Sequence, residues 1–259
     1  MTLHNDKPFS DYVAELNASL DSPSEARFAA EQLMTLHKYA SSLQNTTLLE
    51  LGVDRGQSTK VLLNAIYGKA NSQLVSVDIL DCSAVANCDN WIFVNESSVN
   101  TENIIRQAPI LNKGIDLLYI DSLHTPEHVR NEIYSWFPYL NPGCHIFFDD
   151  VDSGPYMQGQ RKDNFQIESS NRDILRLITS VFRSNLDILD FQMFYGSTGL
   201  ACLTKRCDRS VKLRDPRFLK DRHFNMFTRL LNKFSLGTKY NHSSDSPDSF
   251  LIDVTSFKS

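Results

Sequence analysis

The sequence predicts an α/β fold, a single doubly wound seven-stranded sheet, mostly parallel, with a helical cap before it and an extension after it. Three observations carry that expectation. From Thr47 onward, short β-rich runs alternate with helical segments, the pattern of a parallel sheet covered on both faces. The runs are nearly continuous in apolar residues, as in Leu117–Ile120 and His145–Phe148, which suits strands buried on both sides. The last two strands are separated only by Tyr195–Gly199, with its Gly-Ser-Thr-Gly turn, so they form a hairpin and the last strand runs antiparallel.

Two helices come first, Phe9–Leu20 and Glu25–Leu43, broken by Ser22–Pro23. Ser24 is placed to cap the second, where Phe28, Leu33, Leu36 and Tyr39 recur at helical spacing. The strands then read Thr47–Gly52, Gln73–Asp78, Trp91–Asn95, Ile115–Asp121, His145–Asp149, Asp187–Phe194 and Leu200–Thr204. The helices between them read Thr59–Tyr67, Asn100–Ala108, Pro126–Tyr139 and Ser170–Asn185. The polar, glycine-containing segment Val151–Gln166 reads as a mobile substrate loop with Tyr156 and Arg161 as contacts, an ordinary surface loop being the alternative. These elements divide the chain into a cap (1–43), a central domain (44–205) and an extension (206–259).

Of the 259 residues, 41% are hydrophobic and 22% charged, as in soluble globular proteins. No apolar run approaches the ~20 residues that span a bilayer, and the N-terminal residues are too polar for a signal peptide. The five cysteines include no C-x-x-C pair, which argues against structural zinc or a disulfide framework and for a reducing cytoplasm. The net charge of −5 hides a basic block. Residues 205–240 hold eleven Lys and Arg against three Asp, and Asp221–Leu236 is amphipathic, with Phe224, Phe227, Leu231 and Phe234 on one face. The favoured reading is a packed terminal helix. An anionic acceptor, or peripheral contact of 218–236 with a membrane surface, stays open. Nucleic acid is not expected, because no recognition signature accompanies the charge. Self-association stays open.

Leu48–Ser58 is the richest stretch. An apolar strand ends at Glu50, glycines follow at Gly52 and Gly56, and Ser58 opens a helical run. Glycines allow the tight turn and the close approach of a ligand, and a helix start offers free N–H groups. The spacing E-x-G-x-x-x-G-x-S is neither of the common phosphate-binding patterns. It resembles the first motif of class I S-adenosylmethionine-dependent methyltransferases, whose Rossmann-like sheet ends in the same hairpin; the resemblance covers about residues 30–205.

In an open α/β sheet, ligands bind beyond the carboxyl ends of the strands. This chain places acids there four times, at Glu50, Asp78, Asp121 and the pair Asp149–Asp150. The resemblance implies that Glu50, Gly52, Gly56 and Ser58 contact S-adenosylmethionine, that Asp78 takes the ribose hydroxyls, and that Ser97 and Ser98, or Glu96, flank the adenine. Ile120-Asp121-Ser122-Leu123-His124, then Leu140-Asn141-Pro142-Gly143-Cys144, then Asp149-Asp150, is similar to a group that includes metal-dependent sugar and antibiotic O-methyltransferases. Cys144 departs from its second glycine, and Leu123 stands where a further acid is common.

Three neighbouring carboxylates repel unless a cation sits among them, and oxygen ligands suit Mg²⁺ or a similar ion. The resemblance implies that Asp121, Asp149 and Asp150 hold such a metal, Asp121 also bordering the donor. A metal-free arrangement, with the acids bonding the donor's amino group or capping loops, remains the alternative. His124, three residues past Asp121, suits a general base; His128, a turn later on a helix face, is a poorer candidate. The expected function is methyl transfer to a hydroxyl of a small-molecule or glycan acceptor. The rivals are a SAM-binding subunit without turnover and an NAD-dependent enzyme.

Overall fold

The sheet runs in the order β3-β2-β1-β4-β5-β7-β6. Its strands are β1 (Thr47–Leu51), β2 (Gln73–Asp78), β3 (Trp91–Asn95), β4 (Ile115–Ile120), β5 (Leu140–Phe148), β6 (Leu189–Phe194) and β7 (Leu200–Lys205). Pairing is parallel from β3 through β5, and β7 is antiparallel to both its neighbours, β5 and β6. The hairpin therefore folds back, slotting β7 inside the sheet and leaving β6 at the edge. Strand order reverses on either side of β1, which opens a crevice at the carboxyl ends of β1 and β4. The structure is a computed structural model and describes residues 9–21, 25–157 and 164–218.

Each face of the sheet carries its own core. On one face Leu36 and Ala40 of α2 (Glu25–Ser42) and Leu62, Leu63 and Ile66 of α3 (Gln57–Ile66) pack with Leu48, Leu117 and Phe147. On the other, α4 (Thr101–Gln107), α5 (Pro126–Trp136) and α7 (Phe165–Ser184) bury Ile104, Val129, Ile133, Ile174 and Ile178 against Leu49, Val75 and Leu118. Alternate residues of β1 feed the two cores, as the two-residue period of a strand requires. α1 (Phe9–Leu20) lies outside α2 and α3. Among the described residues no helix is long and apolar enough to cross a membrane.

Several elements begin earlier than their apolar patterns suggest. α3 starts at Gln57 because Gly56, at φ 73°, serves as its N-cap and lets the helix leave the turn at once. α7 starts at Phe165 because Asn164 caps it, its side chain accepting from Gln166 and Ile167. β5 starts at Leu140, with a shifted register between Ile115 and Leu117 of its partner that accommodates the Asn-Pro-Gly segment. The expected loop after Asp150 contains a short helix, α6 (Gly154–Met157), and Tyr156 is buried. Arg161, Ser24 and the amphipathic run from Asp221 lie outside the described residues.

The compact unit extends through Phe218. The cap thus shares the sheet's core instead of forming a domain of its own. The first residues of the extension also belong to this unit: Arg214 donates its backbone N–H to Asn185 Oδ1 at 3.0 Å and its carbonyl accepts from Tyr134 Oη at 2.6 Å.

Candidate active site at the carboxyl ends of the sheet

The turn after β1 is shaped by two glycines. Gly52 has φ 99°, and a Cβ there would lie 2.0 Å from the backbone oxygen of Asp121. Only glycine lets the ends of β1 and β4 come this close. Gly56 has no side chain to cap α3, so the first-turn N–H groups receive no side-chain cap.

Glu50 does not face a ligand. It is fully buried, and its carboxylate accepts hydrogen bonds from Ser58 at 2.6 Å, Thr59 at 2.8 Å and Ser76 at 2.6 Å. Trp91 Nε1 in turn donates to Ser76 at 2.9 Å. Burial raises the Glu50 pKa to about 7 despite these three donors. The expectation that Glu50 contacts the donor is corrected in this respect, while Ser58 lines a cavity beside the start of α3. They fasten β1 to α3 and to β2, and the Ser58 hydroxyl is committed to Glu50.

Three cavities lie at the carboxyl ends of the strands. The first, of about 520 Å³, is lined by Gly52, Asp78, Ile79, Leu80, Glu96, Ser97, Ser98, Asp121 and His128. Asp78 also braces the turn, its Oδ2 accepting from Val53 N at 2.8 Å and Asp54 N at 3.2 Å. Ile79 and Leu80 expose 73% and 66% of their surface, apolar area suited to a flat ring. The second cavity, of about 250 Å³, lies between α2 (Gln32, Leu33) and the turn (Asp54, Arg55), and reaches Tyr119 and the acids. The third, of about 490 Å³, is bordered by His124, Asp150, Gln166 and Asn171. Asp121 lines the first two and Asp150 the last two.

At this junction the expected acids come together around two groups. Tyr119 Oη donates to Asp149 Oδ2 at 2.8 Å and is 3.2 Å from Asp121 Oδ2. His124 bridges the other pair, Nε2 lying 3.2 Å from Asp121 Oδ1 and Nδ1 2.9 Å from Asp150 Oδ2. Burial, then mutual repulsion, pushes the carboxyls of Asp121 and Asp149 above the usual range. Burial works against charge on His124, but the hydrogen bond to Asp150 and the nearby acids outweigh it and raise its pKa. Side-chain exposures of 28%, 32% and 29% for His124, Asp121 and Asp150 leave them within reach of a ligand.

In this arrangement His124 is the group set between the acids that can carry a positive charge. No group of three His, Cys, Asp or Glu side chains among the described residues is gathered to hold a metal ion. The donor set itself, three carboxylates of which Asp121 and Asp149 are pushed up by burial and by mutual repulsion, fits a hard divalent cation chemically. The sequence reading missed Tyr119, which looked like core within an apolar strand, as well as Arg55 and Asn171.

A family model described as a methyltransferase domain matches residues 49–151. Those residues span the glycine turn, Asp78, His124 and the whole acid cluster. Over those residues the chain is similar to a methyltransferase domain. An uncharacterized protein of Acanthamoeba polyphaga mimivirus is 28% identical over 149 residues, 49% of this chain and 66% of its own length. Among solved structures, MycE methyltransferase from the mycinamycin biosynthetic pathway, in complex with Mg, SAH and mycinamycin VI, is similar with a TM-score of 0.52 and 16% identity. The match covers 79% of this chain and 56% of that one. The O-methyltransferase from Bacillus cereus in complex with SAH has a TM-score of 0.50 at 17% identity, over 79% of this chain and 94% of its own. At such identities the likeness is one of fold: the chain shares the sheet-and-helix architecture of these solved methyltransferases. The chain spans 66% of the mimivirus relative and 56% of MycE.

Proposed function

We propose that the protein is an S-adenosylmethionine-dependent O-methyltransferase acting on a hydroxyl-bearing acceptor, small molecule or glycan, with a divalent metal assisting. The observation that carries this reading is the meeting of cavities at Asp121 and Asp150, with His124 between them. The first cavity suits the nucleoside of the donor, with Asp78 for the ribose. The second suits its amino-acid tail, whose carboxylate would meet Arg55 and the uncapped start of α3. The sulfonium methyl then points past Asp121, and the acceptor enters from the third cavity.

Methyl transfer needs alignment more than covalent chemistry. The acceptor oxygen forms the new C–O bond as the S–C bond breaks, S-adenosylhomocysteine leaves, and the acceptor proton goes to a ring nitrogen of His124. For this His124 must be neutral, as a cation bound among the acids would favour, and must turn one ring nitrogen away from its carboxylate, since both nitrogens face acids. Asp121, Asp149 and Asp150 would hold a divalent cation such as Mg²⁺, the ion present in the MycE complex, and bound there it would supply Lewis-acid polarisation of the acceptor hydroxyl. Tyr119 keeps Asp149 aimed at the same point.

Calorimetry with S-adenosylhomocysteine, followed by transfer of labelled methyl groups to hydroxyl acceptors with and without EDTA, tests the reading. Binding, turnover and loss of turnover with EDTA are expected. Binding without turnover across acceptors would favour a SAM-holding subunit, and thermal protection by NADH but not by S-adenosylhomocysteine would overturn the donor assignment.

A further inference from the structure

Three side chains lining the nucleoside cavity converge on a carboxylate beneath its floor. Glu132 of α5 is fully buried. Its Oε1 accepts from Ser122 Oγ at 2.5 Å and lies 3.3 Å from His128 Nε2, while Oε2 is buried with no hydrogen-bond partner. The same His128 nitrogen is 2.9 Å from Ser98 Oγ. Ser98 is itself pinned, its carbonyl accepting from Trp136 Nε1 at 2.9 Å. Ser98, Ser122 and His128 line the cavity and Glu132 does not. A buried carboxylate with one oxygen unpaired costs stability, so the arrangement is poorly explained as a structural brace.

The carboxylate decides where each proton goes. It can only accept, so His128 Nε2 carries a hydrogen. Ser98 Oγ, close to the same nitrogen, is then an acceptor of that shared N–H, and its own hydroxyl hydrogen must turn elsewhere. The cavity is the open direction. Ser122 has spent its hydrogen on Glu132 and offers the cavity lone pairs. The raised pKa of His128, caused first by its hydrogen bond to Glu132, agrees with a firmly held Nε2–H.

We infer that the Glu132–His128–Ser98 chain determines base specificity for the methyl donor, presenting a hydroxyl donor to a bare ring nitrogen of adenine and disfavouring a base that carries N–H there. The inference rests on the donor reading above and extends it. Hypoxanthine, which has N1–H where adenine has a lone pair, sets two donors against each other and leaves both unpaired.

The test is calorimetry of the full chain with S-adenosylhomocysteine and its deaminated analogue S-inosylhomocysteine. The wild type should prefer the adenosyl ligand by about tenfold or more, the size expected for one mismatched hydrogen bond in a closed site. Ser98→Ala and His128→Ala should each weaken the adenosyl ligand and bring the ratio to within about twofold, since removing the donor removes the clash. General damage to the pocket would weaken both ligands alike and leave the ratio unmoved. Melting curves establish that at least one variant is folded. Equal affinities in the wild type, or an unchanged ratio in a folded variant, overturn the inference while the donor reading stands. Failure of S-adenosylhomocysteine to bind the wild type removes both.

Discussion

At the scale of single residues, Glu50 shows how a motif position can serve the fold before it serves a ligand. Its folded pKa of about 7 lies well above the ordinary value of 4.5, so the folded protein binds the extra proton between those pH values. Stability therefore falls as pH rises from about 4.5 to 7, by roughly 3 kcal/mol if the whole shift is expressed. Glu50→Gln, which keeps an oxygen acceptor without the charge, should flatten that part of the profile, and melting temperature measured across pH reads it directly. His124 makes the complementary case in catalysis. His124→Ala should lower kcat by about 10²–10⁴-fold, the usual worth of a general base, with the KM for the donor changed less than about twofold. A comparable fall in donor affinity would mean that His124 binds rather than transfers protons. The acids were legible in the sequence because each ends an apolar run, a local pattern. Glu50's partners were not, because Ser76 sits 26 residues away and only the pairing of β1 with β2 brings it close.

Among the elements, the passage from β1 through the turn to α3 is constrained by contact with β4. Gly52 and Gly68 both have positive φ, yet a Cβ on Gly52 would strike the Asp121 backbone at 2.0 Å while one on Gly68 meets nothing within 4 Å. Gly68→Ala should cost only the left-handed penalty, about 1 kcal/mol. Gly52→Ala adds a backbone collision that no side-chain rotation can relieve, and should cost about 3 kcal/mol or more. Urea denaturation of the two variants side by side checks the difference, and equal losses would mean that β1 and β4 can separate at little cost. The strands were readable because doubly buried runs are apolar throughout. Helix starts were less so, since α7 begins with exposed Phe165 and is set by the Asn164 cap, a signal weaker than the apolar stripe that follows it. The place of β7 between β5 and β6 was not readable, because a hairpin fixes the direction of its second strand but not which side of the first it occupies.

For the molecule as a whole, the matched stretch 49–151 holds most of the chemistry but only part of the core. α2 precedes it, yet Leu36 and Ala40 are 1% and 0% exposed and close over Leu48, Leu62 and Ile66. The same helix walls the second cavity through Gln32 and Leu33. At the other end, Lys205 is buried with Nζ donating to the carbonyls of Phe137 at 3.0 Å and Leu140 at 2.9 Å, which ties β7 to the start of β5. A chain beginning at residue 44 would uncover the part of this core that α2 closes, around Leu48, Leu62 and Ile66, and each large side chain uncovered forfeits about 1.5–3 kcal/mol. Such losses exceed the 5–15 kcal/mol that typically separates folded from unfolded states once several residues are involved. Truncation is therefore expected to abolish cooperative melting and to raise binding of an apolar dye. Leu36→Ala in the full chain should cost about 2–5 kcal/mol, as a cavity in a close-packed core does. A truncated chain that melts cooperatively and still binds S-adenosylhomocysteine as the full chain does would show that α1 and α2 are an ornament on an autonomous sheet, whereas the packing of Leu36 and Ala40 makes them one wall of the core and of the site.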